Sequence, residues 1–149
     1  MGLEAELHYM AKPTEVAAAP TDVEFRLTRE FLADEAACKL FWELVDTQFR
    51  TRSKFLAIWP CVSYIAVHRD AEGTLDGFLL VSCPVNWQID YVTVRPDSRG
   101  QGIATKLVRA TLREAALQHV PYVMLTSKES LRPLYESCGF MVVGQPVTV

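Results

Sequence analysis

The sequence lacks the features of membrane, secreted and nucleic-acid-binding proteins. No apolar run approaches the roughly 18–20 residues that span a bilayer, and the N-terminus has neither a signal-peptide nor a myristoylation pattern. Basic residues are not in excess, because 15 Lys and Arg stand against 18 Asp and Glu, for a formal net charge of −3. A nucleic-acid-binding domain usually carries the opposite balance. We therefore expect neither a nucleic-acid nor a membrane partner.

The cysteines lack the spacing of a metal site or a disulfide framework. Cys38, Cys61, Cys83 and Cys138 are scattered along the chain and form no C-x-x-C pair. We therefore expect no bound metal, and we expect free thiols in a reducing cytoplasm.

The chain has the length and composition of one globular domain. It has 149 residues, of which 50% are hydrophobic and 22% charged, so it can bury a substantial core. The first residues show no sustained period and carry Pro13, Pro20 and an alanine triplet. We predict a flexible leader over residues 1–21 and a single domain over residues 22–149.

Hydrophobic periodicity after residue 22 predicts a mixed α/β fold. A short alternating strand comes first, followed by one or two amphipathic helices. Further strands are predicted at 61–68, 77–83, 87–95, 122–126 and 140–143, with helices from about 103 to 119 and 131 to 137. The predicted order is β-α-(α)-β-β-β-α-β-α-β.

A strand–turn–helix junction at residues 91–106, YVTVRPDSRGQGIATK, is the most informative stretch. The first N–H groups of a helix have no intrahelical partner, and the helix dipole favours negative charge there. Gly100 and Gly102 permit positive φ and the close approach of a ligand oxygen. A dinucleotide fingerprint would need glycine where Thr105 stands, and no P-loop run is present. The junction predicts a phosphate site built from main chain.

Two motifs resemble the GNAT superfamily of N-acetyltransferases. Residues 99–104, RGQGIA, fit its acyl-CoA signature R/Q-x-x-G-x-G/A, and residues 134–140, LYESCGF, fit its L-Y-x-x-x-G-F signature. The chain departs from the usual N-x-x-A opening of the second motif, with Lys128 and Leu131 in its place. The run L-R-P-L-Y is similar to that of the arylalkylamine N-acetyltransferase branch.

The resemblance implies the GNAT acyl-CoA N-acyltransferase fold and an enzyme that transfers acetyl from acetyl-CoA to a primary amine by direct attack. It also implies which residues bind this co-substrate: strand residues beside the pantetheine arm, and turn and helix residues around the diphosphate. These are Val92, Thr93, Val94, Arg99, Gly100, Gln101, Gly102, Ile103, Ala104 and Thr105. Lys106 and Arg109 are either further phosphate contacts or part of a solvated helix face.

Two side chains are candidates for proton transfer. The resemblance places Tyr135 near the cofactor sulfur, and a tyrosine pKa of about 10 keeps it protonated near neutral pH, so it is the candidate general acid; the alternative is a packing tyrosine. The superfamily often supplies its base from the strand before the turn, here at Gln88 or Asp90. Only Asp90 accepts a proton, and on a regular strand both would share the face of Val92 and Val94. An exposed carboxylate bonded to a loop is an equal alternative for Asp90.

The acceptor pocket is expected between the first helices and the sheet, within about residues 41–60, with Trp87 and the tail after Gly144. Its aromatic residues either line the pocket or belong to the core, and Arg50, Arg52 and Lys54 either recognise a carboxylate or lie in solvent. The acceptor is expected to be a small-molecule amine. Two other functions stay open: a non-catalytic acyl-CoA-binding or sensing module, and a lysine or N-terminal protein acetyltransferase. The sequence is also compatible with a homodimer.

Overall fold

The computed structural model describes residues 6–14, 22–83, 86–143 and 147–148. The elements, in chain order, are β1 (Glu6–Pro13), β2 (Val23–Leu27), α1 (Thr28–Leu32), α2 (Glu35–Gln48), α3 (Ser53–Ile58), β3 (Val62–Arg69), β4 (Leu75–Ser82), β5 (Trp87–Val94), α4 (Ile103–Leu117), β6 (Tyr122–Lys128), α5 (Arg132–Ser137), β7 (Met141–Val142) and β8 (Val147–Thr148). The predicted order after residue 22 is confirmed, except that three helices (α1 to α3) occupy the place of the predicted one or two and that β8 follows the predicted last strand.

The strands form one mixed sheet in the order β2-β3-β4-β5-β6-β1-β7, and β8 also pairs with β1. The pair β5–β6 is parallel, and α4 connects its two strands. The other neighbouring pairs are antiparallel. A parallel pair needs a crossover, and a helix is its usual form. This crossover begins at the predicted strand–turn–helix junction.

Residues 6–13 form a strand, so the prediction of a flexible leader is wrong for this segment. β1 pairs with β6 along its whole length, from Leu7 opposite Lys128 to Pro13 opposite Tyr122, and Met10 is fully buried. Without β1, the backbone edge of β6 would be left unpaired. The predicted boundary at residue 22 therefore excludes a central strand of the sheet. The leader residues 1–5 and 15–21 lie outside the described part of the chain.

Helices cover the sheet on two faces and create two apolar cores. On one face, α4 packs through Ile103, Leu107 and Val108 against the middle strands. On the other face, α1 to α3 pack an aromatic cluster against the sheet, including Phe41 and Phe55. Each such buried side chain contributes about 1.5–3 kcal/mol to folding. In the described part of the chain, no helix has the length and apolar character needed to cross a bilayer.

Candidate active site

The two parallel strands separate beside the site. β5 and β6 pair only where Trp87 to Ile89 lie opposite Val123 to Leu125. Just beyond, Leu80 pairs with Tyr91 while Val81 pairs with Ile89, so Asp90 is an extra residue on β5. Such a bulge bends its strand. Here it accompanies a V-shaped cleft in which the β6-facing edge of residues 92–94 has no strand partner within the described ranges.

The cleft contains a cavity of about 560 Å³. Its walls come from β5, the end of β6, α5, the turn before α4 and the C-terminal end of α2. The lining residues are Gln48, Phe49, Val92, Thr93, Val94, Arg99, Ala104, Lys128, Ser130, Leu131, Leu134 and Tyr135. Four lining residues were not predicted as site residues from sequence: Ser130, Leu134, and Lys128 and Leu131, the two positions that depart from the family motif.

A second cavity of about 240 Å³ adjoins the first at the glycine turn. It shares Val94, Arg99, Ala104 and Leu134 with its neighbour. Its other lining residues are Ser98, Gly100, Gly102, Ile103 and Thr105. Nine of the ten residues predicted to contact the cofactor thus line one of these two adjoining cavities. The tenth, Gln101, lines a separate polar cavity on the far side of the turn.

Both glycines of the turn have backbone conformations that other residues rarely adopt. The φ angles are +80° at Gly100 and +74° at Gly102, in the left-handed region that glycine enters at little cost. A Cβ built at either position would have no described heavy atom within 4 Å, so the side of each glycine is open. Gly102 directly precedes α4, whose first N–H groups lack intrahelical acceptors. The turn therefore has the geometry of an anion site.

Arg99 spans the mouth of the cleft. Its Nε donates to the carbonyl oxygen of Val94 at 3.1 Å, and its Nη2 donates to Oε1 of Gln48 at 3.1 Å. A guanidinium has five N–H donors, so these bonds leave others for an anion. Lys106 has a different role from a phosphate contact, because its Nζ donates to Oδ2 of Asp22 at 2.5 Å. Arg109 lies on the exposed face of α4.

Tyr135 lies on α5 with its ring packed at 6.1 Å, edge to face, from the ring of Phe140. The residue is only 6% exposed, yet it lines the larger cavity. Burial raises the pKa of Tyr135 to about 12, because a phenolate is poorly solvated there. The hydroxyl therefore stays protonated across the neutral range. Packing and a role as proton donor are compatible at this position.

Asp90 is the bulged residue of β5, and it is half-buried. The hydroxyl of Ser82 donates to its Oδ1 at 3.2 Å, while its Oδ2 is buried and has no hydrogen-bond partner among the described residues. Burial raises the pKa of the carboxyl, and the bond from Ser82 opposes this shift. Asp90 is not among the residues that line the larger cavity, so any proton transfer to it must pass through water.

Because of the bulge, the side chains of β5 do not all lie on the faces of the sheet that a regular strand predicts. Ile89 and Val92 both pack against the core under α4, although a regular strand would point them to opposite faces. Gln88 is exposed and lies on the face opposite to that of Val92. The predicted common face of Gln88, Asp90 and Val92 is therefore wrong, since it assumed a strand without a bulge.

The end of α2 lies within the region expected to hold the acceptor. Phe49 lines the cavity and packs edge to face against Phe55 at 4.7 Å. Phe55 is itself fully buried, so it belongs to the core. Arg52 is bonded through two nitrogens to Asp46 at 2.9 and 2.8 Å.

No cluster of His, Cys, Asp and Glu that would suit a metal ion is present among the residues that the structure describes.

Comparisons with known proteins agree with this geometry. Residues 60–149 match the family model for the acetyltransferase (GNAT) domain. A GCN5-related N-acetyltransferase from Sphaerobacter thermophilus superposes with a TM-score of 0.71 at 21% identity, over 97% of this chain and 50% of that one. A GNAT-family protein from Novosphingobium aromaticivorans gives 0.71 at 20% identity, over 98% and 63%.

A GCN5-related N-acetyltransferase from Kribbella flavida gives a TM-score of 0.64 at 13% identity, over 96% of this chain and 56% of that one. The chain thus spans between 50% and 63% of the length of these three proteins. At these identities the structural likeness establishes the fold, while the family model covers more than half of the chain. The chain belongs to the GNAT superfamily of N-acetyltransferases.

Proposed function

We propose that the protein transfers the acetyl group of acetyl-CoA to a small-molecule primary amine within a ternary complex. One observation carries the proposal: the open edge of β5 and the glycine turn before α4 line two adjoining cavities. An extended amide-bearing chain with a diphosphate at one end has the chemistry that complements both. The four free thiols favour a reducing compartment, and we propose the cytoplasm.

The main chain supplies most of the binding groups for the co-substrate. Amides of residues 100–105 are positioned to donate hydrogen bonds to the diphosphate, with the helix dipole adding a favourable field. The guanidinium of Arg99 adds charge at the same end. The edge of residues 92–94, which has no strand partner within the described ranges, offers N–H and C=O groups to the pantetheine amides, as a neighbouring strand would, although the Val94 carbonyl also accepts a bond from Arg99. An N–H of this edge also polarises the thioester carbonyl.

The reaction forms a C–N bond and breaks a C–S bond. The neutral amine nitrogen attacks the thioester carbonyl carbon, and the resulting oxyanion accepts a hydrogen bond from the β5 edge. Collapse expels the thiolate of CoA, which takes a proton from the hydroxyl of Tyr135. The amine proton passes through water to the carboxylate of Asp90, whose raised pKa makes it a better acceptor than an exposed aspartate. Proton exchange with solvent then restores both groups.

A non-catalytic acyl-CoA sensor is the competing function, and the position of Asp90 outside the cavity lining favours it. A protein acetyltransferase is the second alternative. Both alternatives retain the co-substrate site, so they differ from the proposal only in what approaches the thioester.

A turnover assay with matched binding data tests the proposal. Purified protein is incubated with acetyl-CoA and a panel of small primary amines, a lysine peptide and a peptide with a free N-terminus, and thiol release is followed. The proposal predicts release with at least one small amine. Binding of CoA without turnover on any acceptor would favour the sensor, and turnover on peptides alone would favour the protein acetyltransferase. An absence of CoA binding would overturn all three functions.

A further inference from the structure

A buried histidine lies at the centre of a polar network on the far side of the glycine turn. His68, at the end of β3, is 8% exposed. Its Nδ1 lies 2.7 Å from Oδ1 of Asp76, on β4, and its Nε2 lies 2.9 Å from Oδ2 of Asp22, just before β2. The same oxygen of Asp22 accepts the hydrogen bond from Lys106 on α4. The network therefore links three strands to the helix that follows the turn.

Each ring nitrogen of His68 lies within hydrogen-bond distance of a carboxylate oxygen. A neutral imidazole has one N–H, so one of its two contacts would place a nitrogen lone pair against a carboxylate oxygen. The hydrogen bond from Lys106 is the main reason that the pKa of Asp22 falls to about 2, so this carboxylate is ionised at neutral pH. An imidazolium between two carboxylates satisfies every contact. The network then holds two positive and two negative charges.

Asp76 connects the network to the turn through the backbone. Its carbonyl oxygen accepts a hydrogen bond from the N–H of Arg95 at 2.7 Å, where the chain leaves β5 for the turn. The next residue, Gly77, lies directly under α4, because a Cβ there would come within 2.8 Å of Cγ2 of Ile103. Both ends of the glycine turn thus rest on the segment that His68 holds.

Other charged groups surround the same cavity, which has a volume of about 440 Å³. They are Arg69, Asp70, Glu72, Arg95 and Asp97. Arg95 is bonded to Asp70 at 2.9 Å and to Asp97 at 2.6 Å, so these three form a separate ion-paired group. The direct hydrogen-bond partners of the imidazole are the two carboxylates already named, and its second neighbour is Lys106.

We propose that His68 is a positioning residue, which holds the glycine turn and the start of α4 in the geometry that binds the diphosphate through its contacts to the two carboxylates. The inference rests on the proposed co-substrate and names a residue outside its two adjoining cavities on which its affinity depends. Replacing His68 breaks the link from Asp76 to Lys106 at its centre.

Calorimetric titration with CoA, and with pantetheine, which lacks the diphosphate, tests this inference. We expect His68→Gln to weaken CoA binding by about tenfold, the effect of losing a charged hydrogen bond, and to leave pantetheine binding within about twofold of wild type. An equal weakening for both ligands, or none for either, would overturn the inference.

Two further variants distinguish the effect of breaking the network from the effect of removing a positive charge. Lys106→Met should weaken CoA binding, and the double variant His68→Gln with Lys106→Met should be no weaker than the weaker single variant, because both break one chain of contacts. Lys39→Met removes the same charge at an exposed position of α2 and should leave the affinity within about twofold. Additive losses would contradict the inference.

Should His68→Gln not fold, Asp22→Asn at the more exposed end of the network supports the same comparison, since it weakens the contact to His68. Wild-type protein that binds no CoA would refute the proposed function itself. Wild-type protein that binds CoA, together with His68 variants that bind it equally well, would refute only the role of His68.

Discussion

Asp90 shows how a single residue combines a structural cost with a chemical use. The bulge places its carboxylate in a half-buried position where Oδ2 has no partner within the described ranges and where burial raises the pKa. A buried and unsatisfied acceptor costs about 1–3 kcal/mol. The same environment makes the carboxylate a stronger proton acceptor than its exposed counterparts. Strain of this kind is common at functional sites.

Asp90→Asn should therefore stabilise the fold and slow the reaction. The folded-state pKa of Asp90 lies above its ordinary value of 3.8, so the wild type loses stability as pH rises through that raised pKa. We expect the variant to gain about 1 kcal/mol in free energy of unfolding at neutral pH and nothing near pH 3. Urea unfolding at both pH values measures this.

A matched substitution should have the opposite sign. The hydrogen bond from Arg52 lowers the pKa of Asp46, so Asp46→Asn removes a stabilising charge and should reduce stability at neutral pH. Destabilisation by Asp90→Asn at neutral pH would show that its carboxylate has a favourable partner, and would contradict its role as an unsatisfied base.

Tyr135→Phe should lower kcat by about 10- to 100-fold with KM for acetyl-CoA within about twofold, because a thiolate leaves readily even without a proton donor. Since the pKa of Tyr135 is raised to about 12, the wild-type rate should show no tyrosine ionisation below about pH 10. Tyr122→Phe, at an exposed position that starts β6, is the control. If steady-state kinetics gave equal kcat for the wild type, Tyr135→Phe and Tyr122→Phe, Tyr135 would be ruled out as the general acid.

Among the secondary-structure elements, the close packing of α4 against β4 sets the position of the glycine turn. The Cα of Gly77 lies so close to the helix that an added Cβ would meet Cγ2 of Ile103 at 2.8 Å and Cδ1 of Leu107 at 3.2 Å. Ile103 is the first residue of α4. The absence of a side chain at position 77 therefore sets how deeply the start of the helix sits against the sheet.

Gly77→Ala should displace the start of α4 and disturb the anion site. We expect a loss of about 1–3 kcal/mol in stability from overpacking and a CoA affinity reduced by more than about fivefold. Thermal unfolding and calorimetry measure the two effects. Unchanged affinity in a destabilised but folded variant would show that the turn is insensitive to the depth of the helix.

The strand β1 should contribute to the core as strongly as any other strand. Met10→Ala removes a fully buried side chain and should cost about 2–5 kcal/mol. Tyr9→Ala alters the adjacent residue, which is 44% exposed on the opposite face, and should cost less than about 1 kcal/mol. If both variants lost equally little stability in chemical denaturation, residues 6–13 would behave as a flexible leader, and the assignment of strand β1 would be contradicted.

Across the whole molecule, the features that can be predicted from the sequence are those that depend on the local pattern of residues. The order of elements from residue 22 follows from hydrophobic period, and the turn at Gly100 and Gly102 follows from glycine spacing before an amphipathic helix. β1 was missed because His8 interrupts its apolar alternation and because its partner β6 is more than a hundred residues away in the chain. Propensity alone does not identify such a pairing.

The finer geometry of the site depends on contacts between distant segments. The bulge at Asp90 exists only in the ladder with β4, so no local pattern around residue 90 specifies it. The bond between Arg99 and Gln48 joins residues 51 apart, and the bond between Lys106 and Asp22 joins residues 84 apart. A single sequence gives the residue types of the site, whereas these long-range contacts decide which of them meet.

The central claim is that the glycine turn and the open edge of β5 together bind the co-substrate. Titration of ¹⁵N-labelled protein with CoA, followed through the backbone amide signals, tests this claim most directly. The account predicts that the largest shifts fall on residues 100–105 and 92–94, and that signals of the exposed α2 surface stay in place. Shifts confined to other segments, or no shifts at saturating CoA, would contradict it.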